Sequence, residues 1–180
     1  MSNVLMIIAQ DQFRDEELFV PKEELEKQGH TVKVASRKVA ECKGKNGKTA
    51  MPDIALDDVD IKDYDAIVFV GGSGSKDYFN DSNIHAMVKE ADKEGKIIGA
   101  ICVAPVILAN AKLLFGKNAT GFPSSATDIS RKGAFFIEDQ DVVQDGNIVT
   151  AKGPAAAAEF GQKIAEMLAG EDAEEECSTI

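Results

Sequence analysis

Val4 to Ala9 is an unbroken apolar run, VLMIIA, the pattern of a strand covered on both faces of a parallel sheet. Similar runs recur at Ala66–Val70 (AIVFV) and Lys96–Ile101. From His30 to Ser36 the apolar positions Val32 and Val34 alternate with others, which predicts a further strand. Helical patterns lie between these runs. Asp15 is placed to cap a helix reaching Gln28, with acidic residues at its start and Gly29 at its end, and Pro21 inside it predicts a kink or a restart. Ser82 is placed to cap a second helix, whose Ile84, Met87, Val88 and Ala91 follow i, i+3, i+4, i+7 spacing up to Gly95. Pro105 opens a helix to about Leu114, and a last helix over Ala155–Leu168 buries Phe160, Ile164, Met167 and Leu168. Asn46-Gly47 predicts a small hairpin outside the main sheet. Asp145-Gly146 predicts another between Val142-Val143 and Ile148-Val149.

Strands alternating with amphipathic helices predict an α/β fold with a mostly parallel central sheet and helices on both faces. Ligands of such sheets bind beyond the carboxyl ends of the strands. Three loops should meet there: the loop after Ala9, the Gly71-Gly72-Ser73-Gly74 loop after Val70, and the turn at Cys102.

Composition narrows the function. The chain has 180 residues, enough for one domain with its own core, expected over residues 1–170. Residues 171–180 read as an acidic, disordered tail. A formal charge of −11 argues against nucleic acid and acidic membrane surfaces as partners. No apolar run is long enough to span a bilayer and no leader pattern precedes the first strand, so a cytoplasmic protein is expected. Three unevenly spaced cysteines do not make a disulfide framework, and two histidines without a Cys/His cluster call for no metal or cofactor.

Cys102 carries the chemistry that can be read from the chain. It stands between an apolar strand and a helix opened by Pro105, the context of a nucleophile elbow. The start of a helix favours the thiolate, so the thiol is expected to titrate below its ordinary value of about 8.5. The alternative is a buried cysteine serving as a small apolar residue. Glu16 and Glu17 begin the helix after the first strand, where one could donate a proton to the sulfur or simply favour the helix start. Gly71, Gly72 and Gly74 could bring amides to an oxyanion, or could be packing glycines. Cys42, Cys177, His30 and His85 are expected to be incidental, and Lys152 either reaches an anion or is solvated.

Together these residues resemble the ThiJ/PfpI family, the group of the parkinsonism-associated deglycase and the intracellular peptidases within the class I glutamine-amidotransferase-like superfamily. The resemblance covers about residues 3 to 169. It rests on the order of four features: Asp15-Glu16-Glu17 with Pro21, the Gly71-Gly72 loop, Ala100-Ile101-Cys102 with Pro105, and Lys152-Gly153-Pro154. It implies a flavodoxin-like three-layer sandwich, Cys102 as the reactive cysteine, Glu17 as its carboxyl partner, and Gly71, Gly72 and Val103 on the oxyanion and substrate side. It also implies a homodimer or larger homo-oligomer.

Two departures bear on activity. Val103 stands where peptidase-like members carry histidine, and Phe122 precedes Pro123 where deglycase-like members often have histidine. A Cys-His-acid relay then has no evident base, which disfavours peptidase and amidotransferase chemistry. The expected function is a glyoxalase- or deglycase-like enzyme for small carbonyl compounds or their adducts, with Cys102 as nucleophile and Glu17 as proton shuttle. The alternative is a non-catalytic oxidative-stress sensor or chaperone-like protein in which an oxidant modifies Cys102.

Overall fold

The computed structural model describes residues 1–177, with side chains through residue 170. The chain runs through β1 (Asn3–Ile7), β2 (Asp11–Phe13), α1 (Asp15–Lys27), β3 (Thr31–Ser36), β4 (Cys42–Gly44), β5 (Thr49–Ala50) and β6 (Ile54–Ala55). It continues with β7 (Ala66–Phe69), α2 (Ser82–Lys93), β8 (Ile97–Ile101), α3 (Pro105–Asn110), β9 (Asn118–Ala119), α4 (Ala126–Arg131) and β10 (Phe135–Phe136). The hairpin β11 (Val142–Asp145) and β12 (Ile148–Ala151) leads to α5 (Ala157–Cys177). The acidic tail expected at 171–180 lies outside the residues whose side chains are described.

Among the described residues the main sheet has seven strands in the order β11-β12-β8-β7-β1-β3-β6, parallel except for the β11–β12 pair. Strand alternation divides the apolar runs between two cores. Leu5, Ile7, Ile67, Phe69 and Ile98 pack with Ile84 and Val88 of α2 and Ile107 of α3. Val4, Met6, Ile8, Val68 and Ile101 pack with Leu18 and Leu25 of α1 and with Phe160 and Ile164 of α5. A sheet this apolar on both faces must be covered twice. The result is a three-layer α/β sandwich.

The turns explain most local departures from the sequence reading. Asp15 is the first helical residue of α1 and caps nothing; Arg14 is the N-cap, and the Asp15 carboxylate accepts the Asn46 amide across the β4–β5 turn. α1 also runs unbroken through Pro21. Gly161 of α5 explains how that helix is seated: a Cβ there would lie 2.9 Å from Pro21 Cα, so the two helices touch backbone to backbone. Asp81 rather than Ser82 caps α2, accepting the amides of Asn83 and Ile84. α3 ends at Asn110, earlier than Leu114, where Lys112 adopts φ +68° and turns the chain. The hairpin turn is Gly146-Asn147, one residue later than read, because Asp145 pairs with Ile148. Cys42 is fully buried: β4 pairs with β2 and β5 in a small three-stranded sheet outside the main one, where Asn46-Gly47 predicts a hairpin.

Candidate active site

Cys102 follows the last residue of β8 and has φ +66°, a left-handed conformation that L-residues other than glycine pay strain to adopt. Two long-range bonds hold it there. Its amide donates to Ala151 O at 2.9 Å, and its carbonyl accepts the Phe122 amide at 2.7 Å. The parallel β12–β8 ladder thus extends one residue beyond Ile101, and the segment after β9 closes over the other side. The elbow predicted from the strand–Pro105 pattern is therefore present, in left-handed backbone geometry.

The three loops converge as expected. The Gly71 carbonyl accepts the Arg14 amide at 3.0 Å, tying the glycine loop to the start of α1. A Cβ on Gly74 would fall 1.8 Å from Asp11 O, and one on Gly72, at φ +98°, 2.4 Å from Gln12 O. Only glycine allows this approach. A Cβ on Gly71 would lie 2.4 Å from Glu17 Oε2 and 2.7 Å from Cys102 Cβ, so carboxyl and thiol flank one bare backbone position.

Glu17 is fully buried. Its Oε2 accepts the Gly71 amide at 2.9 Å, whereas Oε1 has no aligned donor. The Cys102 thiol interacts with the same carboxyl closely enough to pull its pKa down. Burial raises the Glu17 pKa from 4.5 to about 7, against the opposing pull of the thiol and the Gly71 amide. Glu16 is turned away: it binds Arg14 Nε and Asn46 Nδ2, each at 2.9 Å, and its pKa is lowered, first by its own backbone amide.

Cys102 corrects an expectation. The residue is 8% exposed, and burial, followed by the charge of ionised Glu17, pushes its thiol pKa up to about 12. The Gly72 and Val103 amides pull the other way and do not win. The expected help from a helix start is small, because α3 has six residues and begins three positions later. Thiol and carboxyl titrate as one pair: the first proton leaves near 7 and the second near 12. Both contributions of Glu17 to the thiol presuppose an ionised carboxylate. When Glu17 keeps its proton, the same contact stabilises a thiolate instead.

The structure thus brings together Cys102, Glu17, Gly71, Gly72 and the Val103 amide. It does not bring in Glu16 or the histidines: His85 Nε2 bonds Phe79 O at 2.9 Å, and His30 Nδ1 accepts the Ser2 amide at 3.3 Å. Lys152 stays partly solvated, with its ammonium bonding Glu138 O and lying 3.8 Å from Asp141 Oδ1, and it does not reach the Cys102 site. Two neighbours were not read as site residues. Arg14 draws the Glu17 pKa down through its charge, and its position just before the acidic helix start was the available clue. Phe122 anchors the Cys102 carbonyl, a contact between distant segments that chain position does not reveal.

A family model described as the DJ-1/PfpI family matches residues 2–167. An uncharacterized protein of Methanocaldococcus jannaschii is 43% identical over 166 residues, covering 91% of this chain and 80% of that protein. A protein of Pyrococcus abyssi named a deglycase is 35% identical over 150 residues, covering 83% of this chain and 90% of its own. The crystal structure of a ThiJ/PfpI domain protein from Brachyspira murdochii superposes with a TM-score of 0.91 at 32% identity, covering 93% of this chain and 96% of that one.

Proposed function

The chain belongs to the DJ-1/PfpI family, and on that premise we propose that it is a cysteine-dependent enzyme for small reactive carbonyl compounds or their adducts, working in glyoxalase or deglycase fashion. The observation that carries this reading is a strained cysteine whose sulfur shares a buried site with a carboxyl that holds its proton to about pH 7. Such a pair supplies nucleophile and acid together, with no imidazole needed. Relatives named deglycase support the same direction.

For an α-oxoaldehyde the steps balance as follows. The Cys102 sulfur bonds to the aldehyde carbon as its own proton passes to Glu17, and the carbonyl oxygen takes a proton from Glu17, giving a hemithioacetal. The Glu17 carboxylate then removes the proton of that carbon and returns it to the neighbouring carbon, while the hydroxyl proton of the first carbon passes to the neighbouring oxygen, so the first carbon is oxidised and the second reduced. Water cleaves the resulting thioester to an α-hydroxy acid and restores the thiol. The Gly72 and Val103 amides, which point at the sulfur, lower the energy of its anion at the start and end of the cycle. Turnover of methylglyoxal to lactate by the wild type, lost in Cys102→Ser, tests the reading; no lactate above the uncatalysed rate would reject it.

A second reading rests on the same amides. With Glu17 protonated, three donors surround a nearly enclosed sulfur, a setting that suits a sulfinate formed by peroxide. In that reading Cys102 reports oxidant and turns nothing over.

A further inference from the structure

Phe122 and Ala151 hold the Cys102 backbone from opposite sides, one donating to its carbonyl and the other accepting its amide. The segments that contain them continue outward into the walls of a cleft of about 190 Å³. Phe122 and Pro123 form one wall; Gly153, Pro154 and Ala156 form the other. Phe122 lies over bare backbone, since a Cβ on Gly153 would stand 3.5 Å from its Cδ2, and the residue is 43% exposed.

The chemistry of these walls is one-sided. Two of the lining residues are prolines, which have no amide to donate. The Ala156 amide is spent on Gly153 O at 2.9 Å. At the rim the Lys152 ammonium is engaged by Asp141 and by the Glu138 carbonyl, so its charge is already answered. The volume is below the roughly 300–1,000 Å³ of sites that enclose a drug-sized ligand. It suits a single uncharged apolar group attached to something bound elsewhere.

We infer that this cleft receives the substituent of the carbonyl substrate, and that Phe122 makes the protein selective for α-oxoaldehydes bearing an aryl or branched alkyl group. The inference rests on the carbonyl reading above and adds the substrate class to it. The reacting carbon sits at Cys102 and its side group lies against Phe122, Gly153 and Pro154. An apolar contact of this size separates substrates by about tenfold or more. Glyoxal, which has no substituent, gains nothing from it.

The test compares phenylglyoxal with glyoxal in the wild type and in Phe122→Ala, together with protection of Cys102 from iodoacetamide by acetophenone against acetone. The anchoring bond to Cys102 comes from the Phe122 backbone, so the truncated chain keeps it. The expected wild-type kcat/KM ratio favours phenylglyoxal at least about tenfold and falls toward unity in Phe122→Ala. Acetophenone, but not acetone, should slow alkylation of the wild type, and the variant should lose that protection. Protection does not need turnover. If neither aldehyde is consumed while acetophenone still protects through Phe122, the cleft assignment stands and the carbonyl-enzyme reading falls. Equal kcat/KM values, a ratio that Phe122→Ala leaves unchanged, or an absence of acetophenone protection would overturn the inference.

Discussion

Glu17 Oε2 accepts the Gly71 amide at 2.9 Å, so the carboxyl that meets the Cys102 thiol is fixed by the glycine loop flanking that thiol. The carboxyl cannot swing to water, and its acidity is set by where the loop holds it. Several measurable consequences arise from this arrangement.

The first concerns stability. The folded-state pKa of Glu17, about 7, lies above its ordinary value of 4.5. A raised carboxyl contributes stability that is fully present below pH 4.5 and is lost as pH climbs through 7. Glu17→Gln has no charge to lose, so its stability relative to wild type should increase from pH 5 to pH 8.5. Between those two pH values the change is about 2.5 kcal/mol. Thermal or urea melts of both proteins at the two pH values check this. An identical difference at pH 5 and pH 8.5 would show that Glu17 ionises in the fold as it does in water.

The second concerns the thiol. Because the pair loses its first proton near 7 and its second near 12, the singly protonated form dominates between them. In that form the charge lies on the carboxyl, since burial and the Glu17 charge hold the thiol pKa at about 12. Alkylation of Cys102 by iodoacetamide should therefore stay slow through pH 9 and climb toward pH 12. Glu17→Gln removes the carboxylate charge and should move that climb to lower pH. A wild-type rate that instead rises with a midpoint near pH 7 would mean that the first proton leaves the sulfur.

Strain at the elbow gives a third. At φ +66° Cys102 carries the left-handed penalty of an L-residue, about 1–2 kcal/mol, which glycine escapes. Cys102→Gly should thus be more stable than Cys102→Ala by about 1 kcal/mol, reversing the order seen at ordinary positions. Urea denaturation of the two variants decides it. An alanine variant equal to or more stable than the glycine variant would mean that the backbone relaxes once sulfur is gone.

What the chain revealed of this site depended on how local each cause is. The strands ending at Ile7, Phe69 and Ile101 were legible because burial on both faces leaves runs without polar breaks. The elbow was legible because Pro105 so close after a strand forces the turn at Cys102. The direction of the thiol pKa was not, because burial and the Glu17 charge come from folding distant segments together, whereas the helix-start argument used neighbours alone. The burial of Cys42 is hidden for the same reason: Gln10, whose Nε2 lies 3.2 Å from the sulfur, is thirty-two residues away. Caps were misplaced by one residue where two candidates stood side by side, as with Asp81 and Ser82.

The last prediction separates catalyst from sensor. If Cys102 attacks carbonyl carbon, Cys102→Ser and Glu17→Gln should each lower methylglyoxal turnover by at least about a hundredfold, the range set by loss of a proton-transferring group. Glu17→Gln should do so while remaining folded, since an amide fills the same space and can still accept the Gly71 amide. The proton is what it lacks. If instead the wild type turns over no dicarbonyl and dilute peroxide converts Cys102 to sulfinate ahead of Cys42, the sensor reading replaces the enzyme. Cys42 is the internal control within the fold, because it is fully buried and its pKa is raised chiefly by that burial. Mass spectrometry of peptides after graded peroxide gives the order of oxidation. Equal oxidation of Cys102 and Cys42, with no turnover, would leave the strained elbow without either role.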